Sequence, residues 1–234
     1  MGWKFDGESA YGRLWRSTDV RNSAPSWFAI KDAVEPAAEL RNISAIAVAP
    51  GNSNIIWVGH NDGSVYYTIN GTQSTPTWHP ADPNNLLPGG PDEPLAPRMC
   101  GRITIGQAPQ TEPPDVGRTI YVTFTGFFPS ATDTRGNVWK TQNNGQTWEP
   151  IHHSLPHAPI YSLVISPSNP NFLYVGTEVG VFASSTGGAT WSPSNGGPAN
   201  VPVQELFWMG SQSRPQLFAA TYGRSIFKLE PADD

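Results

Sequence analysis

The residues of this sequence that could do chemistry gather in two long segments without an obvious strand pattern. One runs from Ala81 to Arg98 and the other from Gly126 to Gly136. Long loops of this kind carry binding groups more often than the elements they connect. Aromatic rings beside carboxylates and arginines suit the recognition of a sugar or a peptide. The two segments supply these groups as Asp82, Asp92, Glu93, Arg98, Phe127, Phe128, Asp133 and Arg135.

A second group with possible chemistry is the histidine-rich stretch that contains His152, His153 and His157. It spans the end of a predicted strand and a proline-containing loop, so no helix fixes the spacing of the rings. Adjacent residues on a strand also point to opposite faces. The pattern therefore does not predict a zinc site, and we expect no metal and no other cofactor.

Composition narrows the classes of protein that fit. The chain has 234 residues, which suits one all-β domain over residues 1–234. Its net charge of −5, with no basic cluster, disfavours nucleic-acid binding. No apolar run approaches the ~20 residues of a membrane helix. The first ten residues lack signal-peptide features, so the chain is either not secreted or begins after a signal.

The elements that must position these residues repeat along the chain. Residues 43–63 align without a gap on residues 160–180, at an offset of 117, with seven of 21 positions identical. Each copy reads as strand, Pro-Asn turn, strand and glycine turn. A third strand follows, with an aromatic side chain in one fixed position, which we expect in the core. These aromatics are Trp15, Tyr66, Trp139, Phe182 and Phe227.

A short motif, here called the box, comes after the third strand and ends in a tryptophan that opens a fourth. Its clearest copy has a hydroxyl residue, Thr141, then Asn143, Gly145 and Trp148. The Asn or Asp can accept hydrogen bonds from its own turn, the glycine permits a positive φ, and the tryptophan can fill the space between sheets. The box positions are Ser17, Asp19, Trp27; Thr68, Asn70, Trp78; Thr141, Asn143, Gly145, Trp148; and Ser184, Thr186, Gly188, Trp191.

The four boxes resemble the Asp-box, or BNR repeat, of the bacterial sialidase-like propellers. That resemblance implies an all-β fold, a β-propeller of four-stranded antiparallel blades. The predicted blades span about 1–32, 42–80, 99–152, 159–194 and 202–229, with 18 strands, or four and a half blades. We expect part of a six- or seven-bladed propeller; closure as five blades, or completion by a second copy, are the alternatives. Only Asp19 keeps the aspartate of the family pattern, so the boxes do not predict calcium binding.

The resemblance also assigns the loops to two ends of the propeller. The boxes lie at one end, while the loops joining the second strand to the third, and one blade to the next, lie at the other. The candidate binding residues at that second end are His60, Asp62, Arg98, Arg102, Phe127, Phe128, Asp133, Arg135, Glu178, Tyr222 and Arg224.

Catalysis is one function that the resemblance implies, because the family includes sialidases. Sialidases carry an Arg-Ile-Pro signature, which tests for this activity. Here the only Arg-Ile pair, Arg102-Ile103, is followed by Thr104. Xyloglucan-cleaving glycosidases have similar repeats and need two carboxylates across a cleft. Asp62, Glu178, Asp92 and Asp133 are candidates, but no local pattern selects a pair.

The sequence therefore favours a non-catalytic recognition or scaffolding module, extracellular or on the cell surface by resemblance. We expect a glycan or protein ligand and no catalytic residue. A glycoside hydrolase, or a fragment of one, is the second hypothesis. An assembly factor of the photosystem-assembly kind is the third, and it rests on fold analogy alone.

Overall fold

The described part of the chain is built from β-strands. A computed structural model describes residues 12–34, 41–89, 98–107, 118–127, 135–193, 197–211 and 214–229. Within those ranges no helix has the length and hydropathy to span a bilayer. The strands are β1 (Leu14–Arg16), β2 (Phe28–Lys31), β3 (Ile43–Ala49), β4 (Asn52–His60), β5 (Val65–Thr68), β6 (His79–Pro80), β7 (Met99–Ile105), β8 (Ile120–Thr125), β9 (Val138–Thr141), β10 (Glu149–Pro150), β11 (Ile160–Ile165), β12 (Leu173–Thr177), β13 (Gly180–Ser184), β14 (Ser192–Pro193), β15 (Val203–Ser211), β16 (Arg214–Thr221) and β17 (Ile226–Leu229).

These strands form five antiparallel sheets, each a meander in chain order. The first sheet is β1-β2, the second β3 to β6, the third β7 to β10, the fourth β11 to β14 and the fifth β15 to β17. The inner strands β3, β7, β11 and β15 lie next to one another in that order. Sheets stacked in this way around their inner strands are propeller blades. The predicted fold class is therefore confirmed.

The strand count differs from the 18 predicted because part of the first sheet lies outside the described residues. The described chain contains 17 strands. The strand predicted near residues 2–6 falls in a range that is not described. The fifth sheet has three strands, as predicted, and the first has two in the described residues.

The internal repeat has the same local structure in both of its copies. In the second sheet, the Asn52 side chain accepts a hydrogen bond from the Asn54 amide at 2.9 Å. In the fourth sheet, Asn169 accepts one from the Asn171 amide at 3.0 Å. An Asn that bonds its own turn two residues on fixes the reversal between the strands. The identical asparagines of the sequence alignment therefore mark one turn that is used twice.

The boxes are turns stabilised by their own side chains. In each, the side chain at the third position accepts a hydrogen bond from the backbone amide of the threonine or serine that precedes the tryptophan. Asn143 accepts from Thr147 at 2.9 Å, and Asp19 accepts from Ser26 at 2.8 Å. The same bond forms in the other two boxes at 2.9 Å. A neutral amide or a hydroxyl replaces the carboxylate, because one acceptor atom is sufficient.

The box tryptophans join neighbouring sheets by burial and by one hydrogen bond each. The indole Nε1 of Trp78 donates to the Ile30 carbonyl at 2.7 Å, and Trp148 donates to Ala81 at 2.8 Å. Trp191 donates to Ile151 at 2.7 Å. Each acceptor belongs to the outer strand of the preceding sheet or to the residue that follows it. Gly145, with φ of +81°, is required here because a side chain would collide with the same Ala81 carbonyl.

Three aromatics predicted to be buried are exposed. Trp27 is 54% exposed and Trp15 is 45% exposed, although they occupy the same positions as Trp148 and Trp139, which are buried. The prediction is wrong for the first sheet because, in the described residues, no sheet precedes it. Phe227 is also partly exposed, since the fifth sheet has no outer strand beside it in the described chain.

We predict that Trp148→Ala will lower the free energy of unfolding by roughly 3–5 kcal/mol, because it removes a large buried side chain. Trp27→Ala, at the equivalent exposed position, should cost less than about 1 kcal/mol. Urea denaturation of both variants at low protein concentration measures the difference. Equal losses would show that the box tryptophans do not act through burial between sheets.

Candidate functional site

The two long candidate segments meet at one end of the propeller, here called the mouth face. Arg98 precedes β7, and its guanidinium donates to the Arg135 carbonyl at 2.8 Å and to the Asn137 side chain at 2.7 Å. Asn137 in turn donates to the carbonyls of Gly126 and Ala158, at 2.8 and 2.9 Å. The connection between the second and third sheets therefore packs against the loop between β8 and β9. The two loop segments therefore lie at the same end of the propeller, as expected from the sequence.

Each inner strand has a bulge near the mouth face. The register shifts occur between Ile43 and Ala45, between Cys100 and Arg102, between Ile160 and Ser162, and between Val203 and Glu205. A bulge leaves one residue unpaired and re-aims the side chains around it. The extra residues in the fourth and fifth sheets are Tyr161 and Gln204. In the second and third sheets the extra residues are Ser44 and Gly101, so the same irregularity recurs four times but places a large polar side chain only in the fourth and fifth sheets.

Five polar side chains lie at these bulges or in contact with them, here called the mouth cluster: Arg102, Tyr161, Glu178, Gln204 and Glu205. The Tyr161 hydroxyl donates to Glu178 Oε2 at 2.5 Å. Burial and this carboxylate raise the pKa of Tyr161 to about 12, and the Gln204 side chain contacts the same hydroxyl. Tyr161 is therefore a hydrogen-bond donor at neutral pH, and not an activated nucleophile.

Arg102 and Glu205 form the second half of the mouth cluster. Their side chains make an ion pair between the third and fifth sheets, past the inner strand of the fourth. Burial lowers the pKa of Arg102, which nevertheless stays far above neutrality. The cluster thus presents paired donors and acceptors, which suit hydroxyl or amide groups of a ligand.

Three of the predicted binding residues are buried. His60, Asp62 and Arg98 are each at most 5% exposed. Asp62 accepts bonds from the amide and hydroxyl of Ser64 at 3.0 and 2.6 Å, and its second oxygen lies 3.4 Å from Arg41 Nε. These three side chains, predicted to bind a ligand, are instead buried, and they hydrogen-bond the backbone and side chains of the mouth-face turns.

The other predicted residues differ in how accessible they are. Tyr222 is 77% exposed in the turn between β16 and β17, and Arg224 and Phe127 are also exposed. Arg135 is partly buried, with a long hydrogen bond of 3.5 Å to the Leu87 carbonyl. Asp82 accepts bonds from the amides of Leu86 and Leu87. Phe128, Asp133, Asp92 and Glu93 lie outside the described residues.

The histidine-rich stretch also divides between surface and interior. His152 is buried and accepts a hydrogen bond from the Asn137 amide at 3.3 Å, while His153 and His157 are exposed. The rings of His152 and His157 are 5.7 Å apart. In the described ranges, no group of three His, Cys, Asp or Glu side chains could hold a metal ion.

Sequence reasoning missed Tyr161, Gln204 and Glu205. The one available signal was the repeat alignment, which places Tyr161 opposite Ser44 and so shows a large polar side chain at a variable position. A bulge has no signature in the alternation of polar and apolar residues. The direction of these side chains therefore could not be read from the sequence.

Comparison with known proteins identifies the fold. No family model matches the sequence, and no curated protein matches it. Among solved structures, the GH74 xyloglucanase from Xanthomonas campestris is similar, with a TM-score of 0.57 at 16% identity over 93% of this chain and 34% of that chain. The Niastella koreensis GH74 enzyme has a TM-score of 0.55 at 17% identity, over 91% of this chain and 32% of that chain.

A third similar structure is YCF48 bound to D1 peptide, with a TM-score of 0.50 at 14% identity. That match covers 83% of this chain and 53% of that chain. The chain therefore spans about a third of the length of the two GH74 enzymes and about half of YCF48. At these identities the similarities establish a β-propeller fold and nothing about activity.

We predict that acid will destabilise the protein between pH 6.5 and pH 4, in part through His60. Burial lowers the pKa of His60 to about 4, and its Nδ1 lies 2.6 Å from the Arg41 carbonyl, which requires a proton on Nδ1. The unfolded chain takes up a proton near pH 6.5 and the folded chain only near pH 4. As the pH falls from 6.5 to 4, the free energy of unfolding therefore decreases, and His60 alone accounts for roughly 2–3 kcal/mol of that decrease.

The measurement is urea denaturation at pH 7 and pH 4.5 of the wild type and of His60→Asn, whose amide can replace the Nδ1–H donor. His79→Asn, at an exposed position, is the control. His60→Asn should lose less stability on acidification than the other two proteins. Identical losses of stability in all three proteins would show that groups other than His60 cause the acid sensitivity.

Proposed function

We propose that the chain is a non-catalytic recognition or scaffolding module, built from Asp-box repeats, that binds a glycan or protein ligand at the mouth face. The supporting observation is the internal pairing of the mouth cluster. Tyr161 donates to Glu178, and Arg102 pairs with Glu205. Both carboxylates therefore already act as acceptors within the protein.

This pairing fits poorly with glycoside hydrolysis. A general acid must carry a proton to the leaving oxygen, and its partner must reach the sugar or a water on the other side. Glu178 is an acceptor for the Tyr161 hydroxyl, and Glu205 is neutralised by Arg102. Asp62, a third candidate, is buried beneath its own turn and bonded to Ser64.

The same groups suit binding without chemistry. A fixed array of hydroxyl, amide and carboxylate groups can hydrogen-bond sugar hydroxyls or peptide amides, and rigid aromatic side chains add contact area. Tyr222 and Phe127 are exposed aromatics on the same face. YCF48, of similar fold, was solved with a bound peptide, which supports a peptide as one form of the ligand.

A glycoside hydrolase is the second candidate, because the similar structures include two GH74 enzymes, one of them a xyloglucanase. In that case the chain would contribute part of a longer catalytic cleft. Placement of the module in a bacterial extracellular or cell-surface protein follows from the Asp-box resemblance and belongs to the same proposal.

We predict that the chain will be retained on a glycan or peptide array and will release no reducing sugar from xyloglucan or from sialosides. Tyr222→Ala and Tyr161→Phe should each weaken retention about tenfold, since each removes a contact at the mouth face. Ile69→Ala is the matched control, because Ile69 is exposed in a box turn at the opposite end.

Two results would contradict the proposal. Hydrolysis that disappears in Glu178→Gln or Glu205→Gln would establish the enzyme instead. Retention that falls equally in Ile69→Ala would move the binding surface away from the mouth face. Circular dichroism of each variant separates loss of binding from loss of folding.

A further inference from the structure

The two faces of a sheet make different contacts with the neighbouring sheets. Each sheet from the second to the fourth carries its box tryptophan on the face toward the preceding sheet. The indole of this tryptophan donates a hydrogen bond to a carbonyl at the outer edge of the preceding sheet. On the face toward the following sheet, the fourth sheet carries Tyr174, which is buried and packs edge-on against Trp208 of the fifth. At the interface between the second and third sheets the two kinds of face meet directly, because Trp57 of the second packs edge-on against the box tryptophan Trp148 of the third.

Among the described residues, nothing covers one face of the first sheet, and this face is of the first kind. Trp15 and Trp27 lie on one side of this sheet, because the register pairs Trp15 with Ala29 and Arg16 with Phe28. This is the side that Trp139 and Trp148 occupy in the third sheet, where both are buried. In the described residues the Trp27 indole has no carbonyl acceptor, whereas those of Trp78, Trp148 and Trp191 each have one.

The fifth sheet has a face of the second kind that no described residue of another sheet covers. Leu217 to Thr221 repeats the pattern of Leu173 to Thr177, so Phe218 is the counterpart of Tyr174. Tyr174 is buried, but Phe218 is only half-buried and stacks on Phe207 of the same sheet at 5.7 Å. On the same face, Met209 is 54% exposed and Ile226 is 60% exposed.

We propose that a second copy of this chain covers these faces, with the fifth sheet of one copy packed against the first sheet of the other. The two uncovered faces are of opposite kinds, and contact between those kinds already forms the interface between the second and third sheets. The apolar side chains that both faces expose to water would gain the burial that their internal counterparts have. Such a contact is heterologous, because the surfaces that meet are different.

The contact extends an existing type of interface and does not require new chemistry. The second copy would bury Trp15 and Trp27 on one side and Phe218 and Ile226 on the other. It leaves the mouth cluster free, since that cluster lies around the inner strands. Failure of this inference would therefore leave the proposed ligand site unaffected.

The test is the mass of the purified chain by sedimentation equilibrium from about 1 to 200 µM. Association should raise the mean mass above the 25.3 kDa of one chain as concentration rises. Trp27→Asp and Ile226→Asp should each abolish association, because each places a charge in one of the two faces. Ile69→Asp, an exposed change outside both faces, should associate as the wild type does.

Mixing the two defective variants gives the sharpest result. Trp27→Asp retains an intact fifth sheet and Ile226→Asp an intact first sheet, so a one-to-one mixture should form a heterodimer. A mass that stays at 25.3 kDa for the wild type at every concentration would overturn the proposal. Association that survives both substitutions, or a mixture that remains monomeric, would overturn it as well. Far-ultraviolet circular dichroism confirms that each variant is folded.

Discussion

The structure depends on the need of each sheet to bury both of its faces. A sheet stays marginal in water until its apolar face is packed, and here successive sheets in the chain pack against one another. The box tryptophan makes that partnership specific, because its ring fills the gap and its Nε1 reaches one backbone carbonyl. Three clusters of buried side chains between successive sheets follow from this arrangement. Where the described residues contain no preceding sheet, as at Trp27, the same residue is exposed.

The packing of the sheets also determines where function can reside. At the end with the boxes, the side-chain acceptors are used within their own turns, so few are available to a ligand. At the mouth face, the four bulged inner strands bring their first residues together. Hydrogen bonds between neighbouring inner strands fix their spacing, as when Thr104 donates to the Leu163 carbonyl at 2.7 Å. The mouth cluster thus sits on a rigid frame, which favours recognition without a large rearrangement.

Much of the fold could be predicted from the sequence because its signals are local and repeated. Asn143 and Gly145 specify a turn through groups only four residues apart, and that turn recurs in register along the chain. The candidate site was predicted less well. His60 and Arg98 are polar residues of the kind found in loops. Their burial depends on residues far away in the sequence, because they hydrogen-bond the carbonyls of Arg41 and Arg135. Tyr161 was missed because its direction depends on a bulge, which the polar pattern does not encode.

The sequence by itself determined the repeat, the strand and turn types and the end at which the boxes lie, since each depends on contacts within one blade. Only the tertiary structure decided which polar groups face solvent, which pair across sheets and which tryptophans are exposed. The Arg102–Glu205 pair joins residues 103 positions apart in the chain. No local propensity can specify such a contact, because it exists only when three successive sheets have been stacked at the correct angle.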